Sequence, residues 1–120
     1  MKAKKIAFTG LPVTDMRRAR PFYQGVLGLK VAGEFGEGVW IEHDIGGDTL
    51  ATGSVGDQWK PSENGTSVAV EVKEFEAAIR SLKQANARFP AEGIDSPVCR
   101  MAVVQDPDGN KIMIHKLKKG

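Results

Sequence analysis

The stretch Thr66-Ser67-Val68-Ala69-Val70-Glu71-Val72 decides the fold, because it restarts the pattern with which the chain begins. Its alternating apolar and polar residues predict a β-strand. A helical pattern from about Glu74 to Ala87 follows it, with apolar residues three or four positions apart at Phe75, Ala78, Ile79, Leu82 and Ala85. We therefore expect a strand and then a helix in the second half of the chain.

The first half has the same order of elements. Residues Ile6 to Val13 have a strand-like pattern, and the helical pattern after them has apolar residues at Ala19, Phe22, Tyr23, Val26 and Leu27. Asp15 suits the N-cap of this helix, and Gly28 is expected to end it. Pro21 lies inside the pattern, so we expect it to remove a backbone hydrogen bond and to bend the helix.

Further strands complete each half. The first half offers Lys30 to Glu34, then Gly38 to Ile45 and Asp48 to Thr52, with the hairpin signal Gly46-Gly47 between the last two. The second half offers Val98 to Gln105 and Lys111 to Lys116, joined by the turn Asp106-Pro107-Asp108-Gly109-Asn110.

This repetition predicts the fold class. Val13 and Val72 occupy equivalent places 59 positions apart, which is the signature of an internal repeat. We expect an α+β fold in which residues 1–120 form a single domain of two βαβββ modules, at about 1–60 and 65–118. The polar stretch Gln58 to Gly65 is the natural linker. Each module is expected to contribute a four-stranded mixed sheet with one helix on one face.

Composition excludes several classes of protein. Hydrophobic residues make up 41% of the chain and charged residues 27%, which is typical of a soluble globular protein and not of a disordered one. The net charge of +2 is spread along the chain, so we expect no nucleic-acid partner. No apolar run approaches the roughly 20 residues that span a bilayer, so we expect no membrane association.

The cysteine content and the first residues bear on location. Cys99 is the single cysteine, so no internal disulfide is possible and the cytoplasm is the expected compartment. The apolar stretch that follows the basic start is broken by Pro12 and Asp15, and we expect no signal peptide.

Strand alternation indicates which side chains line a site. Successive side chains of a strand point to opposite faces, and the valines and isoleucines of these strands are expected to face the helices. The other face then receives Trp40, Glu42, Ser67, Glu71, Met113 and His115. A sheet face with this mixture is expected to line a cleft.

Two motifs resemble a known superfamily. The run Pro12-Val13-Thr14-Asp15-Met16 with Phe22-Tyr23-Gln24-Gly25-Val26-Leu27-Gly28-Leu29, and the late run Asp106-Pro107-Asp108-Gly109-Asn110-Lys111-Ile112, are similar to those of the vicinal oxygen chelate superfamily. That superfamily includes glyoxalase I, extradiol dioxygenases and bleomycin-resistance proteins. The resemblance implies paired βαβββ modules whose sheets curve around a pocket, commonly completed by dimerisation.

The resemblance also indicates where a metal would bind. Metalloenzymes of this superfamily hold a divalent ion with His, Gln or Glu side chains from both modules. Those positions fall here on Phe8, Ser67 and Met113, with a fourth near Ala51. Only Ser67 offers an oxygen, and one hydroxyl is a poor ligand for a divalent ion. We therefore expect no metal and no other cofactor at this locus.

A displaced metal site is the alternative. Glu42, Glu71 and His115 share the cleft-facing parity and have side chains of the type that binds metals. Their spacing, however, matches no ligand set of the superfamily.

These observations predict a small-molecule binding protein that works without the usual divalent metal. The expected ligand-binding residues are Phe8, Trp40, Glu42, Ser67, Glu71, Met113 and His115, and no catalytic residue is assigned. The first alternative is a metal-dependent lyase or dioxygenase of glyoxalase type with a displaced site. A second is a module with a vestigial cleft and an oligomeric or regulatory role, which the mixed aromatic and ionisable cleft makes the weaker interpretation. We also expect a homodimer, because an open apolar cleft and open strand edges are costly unless covered.

Overall fold

The structure, a computed structural model, describes residues 1–57 and 59–119. The chain divides into two compact units, Met1–Pro61 and Ser62–Gly120. Each unit contains one four-stranded mixed sheet and one helical segment. The predicted α+β architecture of two βαβββ modules is therefore confirmed, whereas their packing as a single domain stays a prediction. Of the predicted linker, Gln58 lies outside the described residues.

The first unit has four strands around one helical segment. Its elements are β1 (Thr9–Pro12), α1 (Met16–Arg20), a π-helical segment (Pro21–Val26), β2 (Lys30–Phe35), β3 (Trp40–Ile45) and β4 (Asp48–Gly53). The sheet order is β1-β4-β3-β2. Strand β1 is parallel to β4, and the other two pairings are antiparallel.

The second unit repeats this plan. Its elements are β5 (Val68–Glu71), α2 (Phe75–Gln84), β6 (Arg88–Asp95), β7 (Cys99–Gln105) and β8 (Lys111–Leu117). The sheet order is β5-β8-β7-β6, with β5 parallel to β8. Strands β1 and β5 begin 59 positions apart, at Thr9 and Val68, which is the offset that the sequence predicts.

The first helix changes its winding at Pro21, as the sequence indicates. The Asp15 carboxylate caps it by accepting the Arg17 backbone N–H at 3.0 Å. The α-helix ends at Arg20 and continues as a π-helix, in which the Leu27 N–H donates to the Phe22 carbonyl at 2.8 Å. Gly28 follows with a φ of 68°, a conformation that favours glycine.

Several predicted elements are shorter than expected, β1 and α2 most of all. Strand β1 begins at Thr9 and not at Ile6, because its pairing with β4 begins at Thr9; Ile6 is 81% exposed. Helix α2 ends at Gln84 and not at Ala87, because Asn86 adopts a φ of 60°. Asparagine tolerates this left-handed conformation, which terminates helices.

The structure locates β6, the strand of the second module whose position we did not predict. Pro90 and Gly93 lie within it, and both disfavour strands in sequence-based reasoning. It tolerates them because it is an edge strand with two register shifts against β7.

Each core lies between a helix and one sheet face. In the first unit the buried residues include Leu11, Ala19, Phe22, Tyr23, Ile41 and Leu50. In the second they include Phe75, Leu82, Ala102, Val104, Ile112 and Ile114. The alternation of β3 and β8 therefore follows the prediction, with the isoleucines in the core and their neighbours on the opposite, helix-free face.

His43 is buried in the core of the first unit. It is 1% exposed, its Nδ1 lies 3.0 Å from the Leu50 carbonyl oxygen, and its ring stacks on Tyr23. Among the described residues, its Nε2 has no hydrogen-bond partner. Burial lowers the pKa of His43 below its usual value, since a buried ring disfavours the charged form.

Acid is expected to destabilise the protein through His43. As the pH falls below about 6.5, the unfolded chain protonates this imidazole while the native core still holds it neutral. The unfolding free energy then decreases with falling pH until the lowered native pKa is reached. Urea denaturation of the wild type and of His43→Phe at several pH values tests this, because the substitution should remove that part of the slope. An identical pH dependence in both proteins would show that His43 is not responsible.

Candidate functional site

The helix-free face of the first unit carries the polar and aromatic residues of β3. Ile41 and His43 are buried on the helix side, whereas Trp40 and Glu42 are half-buried on the other face. The period of two in β3 thus places both predicted site residues on the expected face.

Three aromatic rings meet on this face, and we call Phe8, Trp40 and Trp59 the aromatic cluster. The Phe8 and Trp40 rings are edge to face, with centroids 5.5 Å apart. The Trp40 and Trp59 rings are stacked at 5.8 Å and 25°. Phe8, which lies just before β1, is 46% exposed. The cluster is therefore an apolar surface open to solvent within this unit.

Two glycines make room for these rings. Gly53 of β4 is the register partner of Trp40, and a Cβ there would lie 2.6 Å from Trp40 Cε3 and 3.1 Å from Trp59 Cζ3. A Cβ at Gly10 of β1 would lie 3.1 Å from Trp59 Cη2. Any other residue at Gly53 would collide with the rings, so the cluster depends on a bare backbone beneath it.

The Glu42 carboxylate is hydrogen-bonded to the aromatic cluster. The Trp40 indole N–H donates to Glu42 Oε2 at 3.0 Å. This bond satisfies the only polar group of the indole and holds the ring in place, while a carboxylate is brought to the edge of the apolar surface. The cluster therefore combines stacking area with one negative charge.

Trp59 is the residue of this site that sequence reasoning missed. It lies in the loop after β4, where no periodicity assigns a face. One signal was present: Trp40 and Trp59 are the two tryptophans of the chain, and an exposed loop rarely keeps a tryptophan without packing it.

The helix-free face of the second unit carries a histidine–carboxylate pair. The His115 Nδ1 lies 2.5 Å from Glu71 Oε1, and the Leu117 backbone N–H donates to Glu71 Oε2 at 2.8 Å. The hydrogen bond from His115 is the main reason that the pKa of the Glu71 carboxyl is lowered, and the bond from Leu117 adds to it. Glu71 therefore engages the Nδ1 nitrogen of His115.

Ser67 and Met113 complete the predicted residues of this face. The Ser67 hydroxyl donates to the Lys111 carbonyl at 2.7 Å, so it ties the start of β5 to β8. Met113 is half-buried, whereas Ile112 and Ile114 on either side of it are buried. The structure therefore places Met113 on the same sheet face as His115.

Four side chains occupy the positions that hold the metal in metalloenzymes of the resembled superfamily, and they do not fit a divalent ion. Phe8 presents a ring engaged with Trp40, Ala51 is fully buried, and Met113 offers a soft thioether. The Ser67 hydroxyl already donates its proton to a backbone carbonyl. Side-chain sites for Zn, Ni, Fe or Mn are built mainly from imidazole, carboxylate or thiolate donors, and none of these four side chains supplies one.

The displaced set of Glu42, Glu71 and His115 is divided between the two units. Within the second unit Glu71 and His115 are in contact, and within the first Glu42 is bound to Trp40. Within residues 1–57 and 59–119, no group of three or more His, Cys, Asp or Glu side chains has the arrangement of a metal site.

Comparison with known families agrees with this architecture. The sequence profile of the Glyoxalase/Bleomycin resistance protein/Dioxygenase superfamily matches residues 5–114. The chain therefore belongs to this superfamily, as its two motifs indicate. Comparison with curated protein sequences gave no match.

Several solved structures share the fold. TnmS3, an antibiotic binding protein from Streptomyces sp. CB03234, superposes with a TM-score of 0.81 at 20% identity, covering 98% of this chain and 99% of its own. A glyoxalase/dioxygenase from Nostoc punctiforme gives 0.81 at 19%, covering 97% and 92%. A lactoylglutathione lyase from Agrobacterium tumefaciens gives 0.76 at 15%, covering 96% and 95%. At these identities the likeness establishes the fold.

Proposed function

We propose that this chain binds a small organic molecule with a flat apolar part, and that it does so without a divalent metal. The observation that carries the proposal is the aromatic cluster, in which Phe8 is exposed, Trp40 and Trp59 are half-buried, and glycines lie beneath the rings. Solvent-exposed aromatic surface of this kind is typical of binding sites. The fold is shared with an antibiotic binding protein, so it is suited to such a role.

The polar residues would orient the ligand. On the sheet face of the first unit this role would fall to Glu42; a ligand on the sheet face of the second unit would meet Ser67, Glu71 and His115, with Met113 as an apolar contact. We assign no catalytic step to any of them. The lack of suitable donors in the side chains at the positions that hold the metal in related enzymes argues against the alternative, a metal-dependent lyase or dioxygenase.

Tryptophan fluorescence offers a direct test. Both tryptophans of the chain belong to the cluster, so a ligand that stacks there changes the entire tryptophan emission. We would first screen a panel of metabolites and antibiotics by thermal shift, since binding raises the Tm with the logarithm of ligand concentration over Kd. Hits that stabilise the fold should also quench or shift the tryptophan emission. Stabilising ligands that leave the emission unchanged would place the site elsewhere.

Trp40→Ala should weaken the binding of any such hit by about tenfold or more, because it removes a stacking surface and the anchor of Glu42. The matched control is Phe89→Ala, which truncates a half-buried aromatic residue of β6 in the other unit. Isothermal titration calorimetry on both variants gives the comparison. Equal losses of affinity in the two variants would indicate a general effect on folding.

Met113→Glu should not recruit a metal. It restores one carboxylate at an inherited ligand position, but Phe8 and Ala51 still offer no donor, so the cost of desolvating the ion is not recovered. Elemental analysis after incubation with Zn, Ni, Fe or Mn measures this for the variant and the wild type. A wild type carrying about one metal per chain, lost in Glu71→Gln or His115→Gln, would instead support the displaced-site enzyme.

We also propose a cytoplasmic homodimer. Strands β2 and β6 are sheet edges, and Phe35, Ile94 and Val98 near them are 54%, 38% and 65% exposed. Covering such edges and apolar side chains with a second copy is favourable. Light scattering should give twice the 13.0 kDa of one chain. A monomer at micromolar concentration would contradict the dimer.

The proposed cytoplasmic location is supported by Cys99, the single cysteine, which is a free thiol. None of the described helices has the length and apolarity to cross a membrane.

A further inference from the structure

The carboxylate of Glu42 adds a negative charge to the edge of the aromatic cluster, and stacking alone does not explain why a charge is held there. Glu42 Oε2 lies 3.0 Å from the indole nitrogen of Trp40, so a negative charge is held at the edge of an apolar aromatic surface. Placing a charge beside an apolar binding surface is costly unless a partner compensates it. The question is which ligand would supply that partner.

The stacked tryptophans restrict where a ligand can lie. Their centroids are 5.8 Å apart, and a ring inserted between them would need about 7 Å, which is two contacts of about 3.5 Å each. A ligand therefore lies across the accessible ring surface and not between the two indoles. The Trp40 N–H lies in the ring plane and is engaged with Glu42, so the part of this half-buried ring that can attract a cation is the π surface that Trp59 does not cover.

Glu42 has no cation of its own. Among the described residues its recorded polar contact is with Trp40, and no Lys or Arg forms an ion pair with it. Asp44, two positions further along β3 on the same face, has Lys30 as its register partner on β2, although the ion pairs of the described residues do not include these two. The negative charge of Glu42 is thus uncompensated at the place where the aromatic rings are exposed.

We infer that the ligand of this site is an aromatic organic cation. This inference rests on the proposed function and adds the charge of the ligand to it. A cation over an indole face within about 6 Å of the ring centroid is attracted by the ring quadrupole. Over Trp40, the same cation also lies beside the Glu42 carboxylate, so both attractions act on one positive group while the flat part of the ligand stacks.

The test compares three probes of similar shape by isothermal titration calorimetry: N-methylquinolinium, neutral quinoline and a quinoline carboxylate. We expect the cation to bind about tenfold more tightly than quinoline, and the anion to bind more weakly than either. Glu42→Gln should remove most of the preference for the cation while quinoline affinity changes little. The glutamine oxygen can still accept the Trp40 N–H, so the variant removes the charge and keeps the position of the ring.

Asp44→Asn is the matched control. It makes the same change in net charge on the same strand and face, and the asparagine oxygen can still accept the Gly47 N–H that Asp44 accepts at 3.2 Å. It should keep the preference for the cation. An equal loss in both variants, or equal binding of the cation and quinoline by the wild type, would overturn the inference and leave the proposed binding function intact. Absence of binding by all three probes would count against the proposed function itself.

Discussion

Asp106→Ala is expected to lower the Tm by about 10 °C. Asp106 is 1% exposed. One carboxylate oxygen accepts the backbone N–H groups of Asp108 and Asn110, both at 2.9 Å, and the other accepts the Asn110 side-chain amide at 2.9 Å. Removing a buried carboxylate strands three donors in a turn between two core strands, at a cost of about 3 kcal/mol.

Two further variants test whether the loss of stability comes from the buried hydrogen bonds of Asp106. Asp95→Ala removes an exposed carboxylate that is paired with Lys118, and such a pair contributes less than about 1 kcal/mol. Asp106→Asn keeps the shape but not the charge, and it should lie between wild type and Asp106→Ala. Differential scanning calorimetry provides the three Tm values. Equal values for Asp95→Ala and Asp106→Ala would show that the turn tolerates the loss of its central acceptor.

The same turn illustrates what the sequence motif encodes. Asp106 to Asn110 supports the family assignment, and the structure assigns these residues to holding β7 and β8 together. The motif is thus informative about the fold, because its hydrogen bonds depend on residue identity at fixed spacing. It carries no information about the ligand.

Periodicity predicted the sheet faces because side chains in a strand alternate strictly. Trp40, Glu42 and Met113 lie on the expected face for that reason. Strand β6 escaped prediction because Pro90 and Gly93 suppress the local signal, while its pairing with β7 is a tertiary effect. A periodic pattern therefore predicts only those strands that the local sequence determines, and not those that depend on pairing with a neighbouring strand.

The candidate site was predictable in part. Loops have no period, so nothing in the sequence placed Trp59 against Trp40 or revealed that Gly53 leaves space for both. The hydrogen bond between Trp40 and Glu42 was also out of reach, although the two residues were correctly assigned to one face. What links these residues is side-chain contact across strands and a loop, which a single sequence does not specify.

Gly53→Ala is expected to dismantle the aromatic cluster and to weaken ligand binding by at least tenfold. The new methyl group would lie 2.6 Å from the Trp40 ring, so the indole must turn away and lose its stacking on Trp59. Gly53 does not have a positive φ, so alanine suits its backbone and the effect is one of overpacking, worth about 1–3 kcal/mol of stability. The coupled circular dichroism of the two stacked indoles should disappear in the variant.

Gly25→Ala is the matched control for this prediction. It adds the same methyl group at a π-helical position where nothing lies within 4 Å of the new atom, and alanine favours a helical backbone over glycine by up to about 1 kcal/mol. We expect this variant to bind ligand normally and to be as stable as wild type or slightly more so. If Gly53→Ala kept the indole signal, the stacked pair would not depend on the bare backbone of β4. If it lost the signal but kept the affinity, the aromatic cluster would lose its claim to be the binding surface.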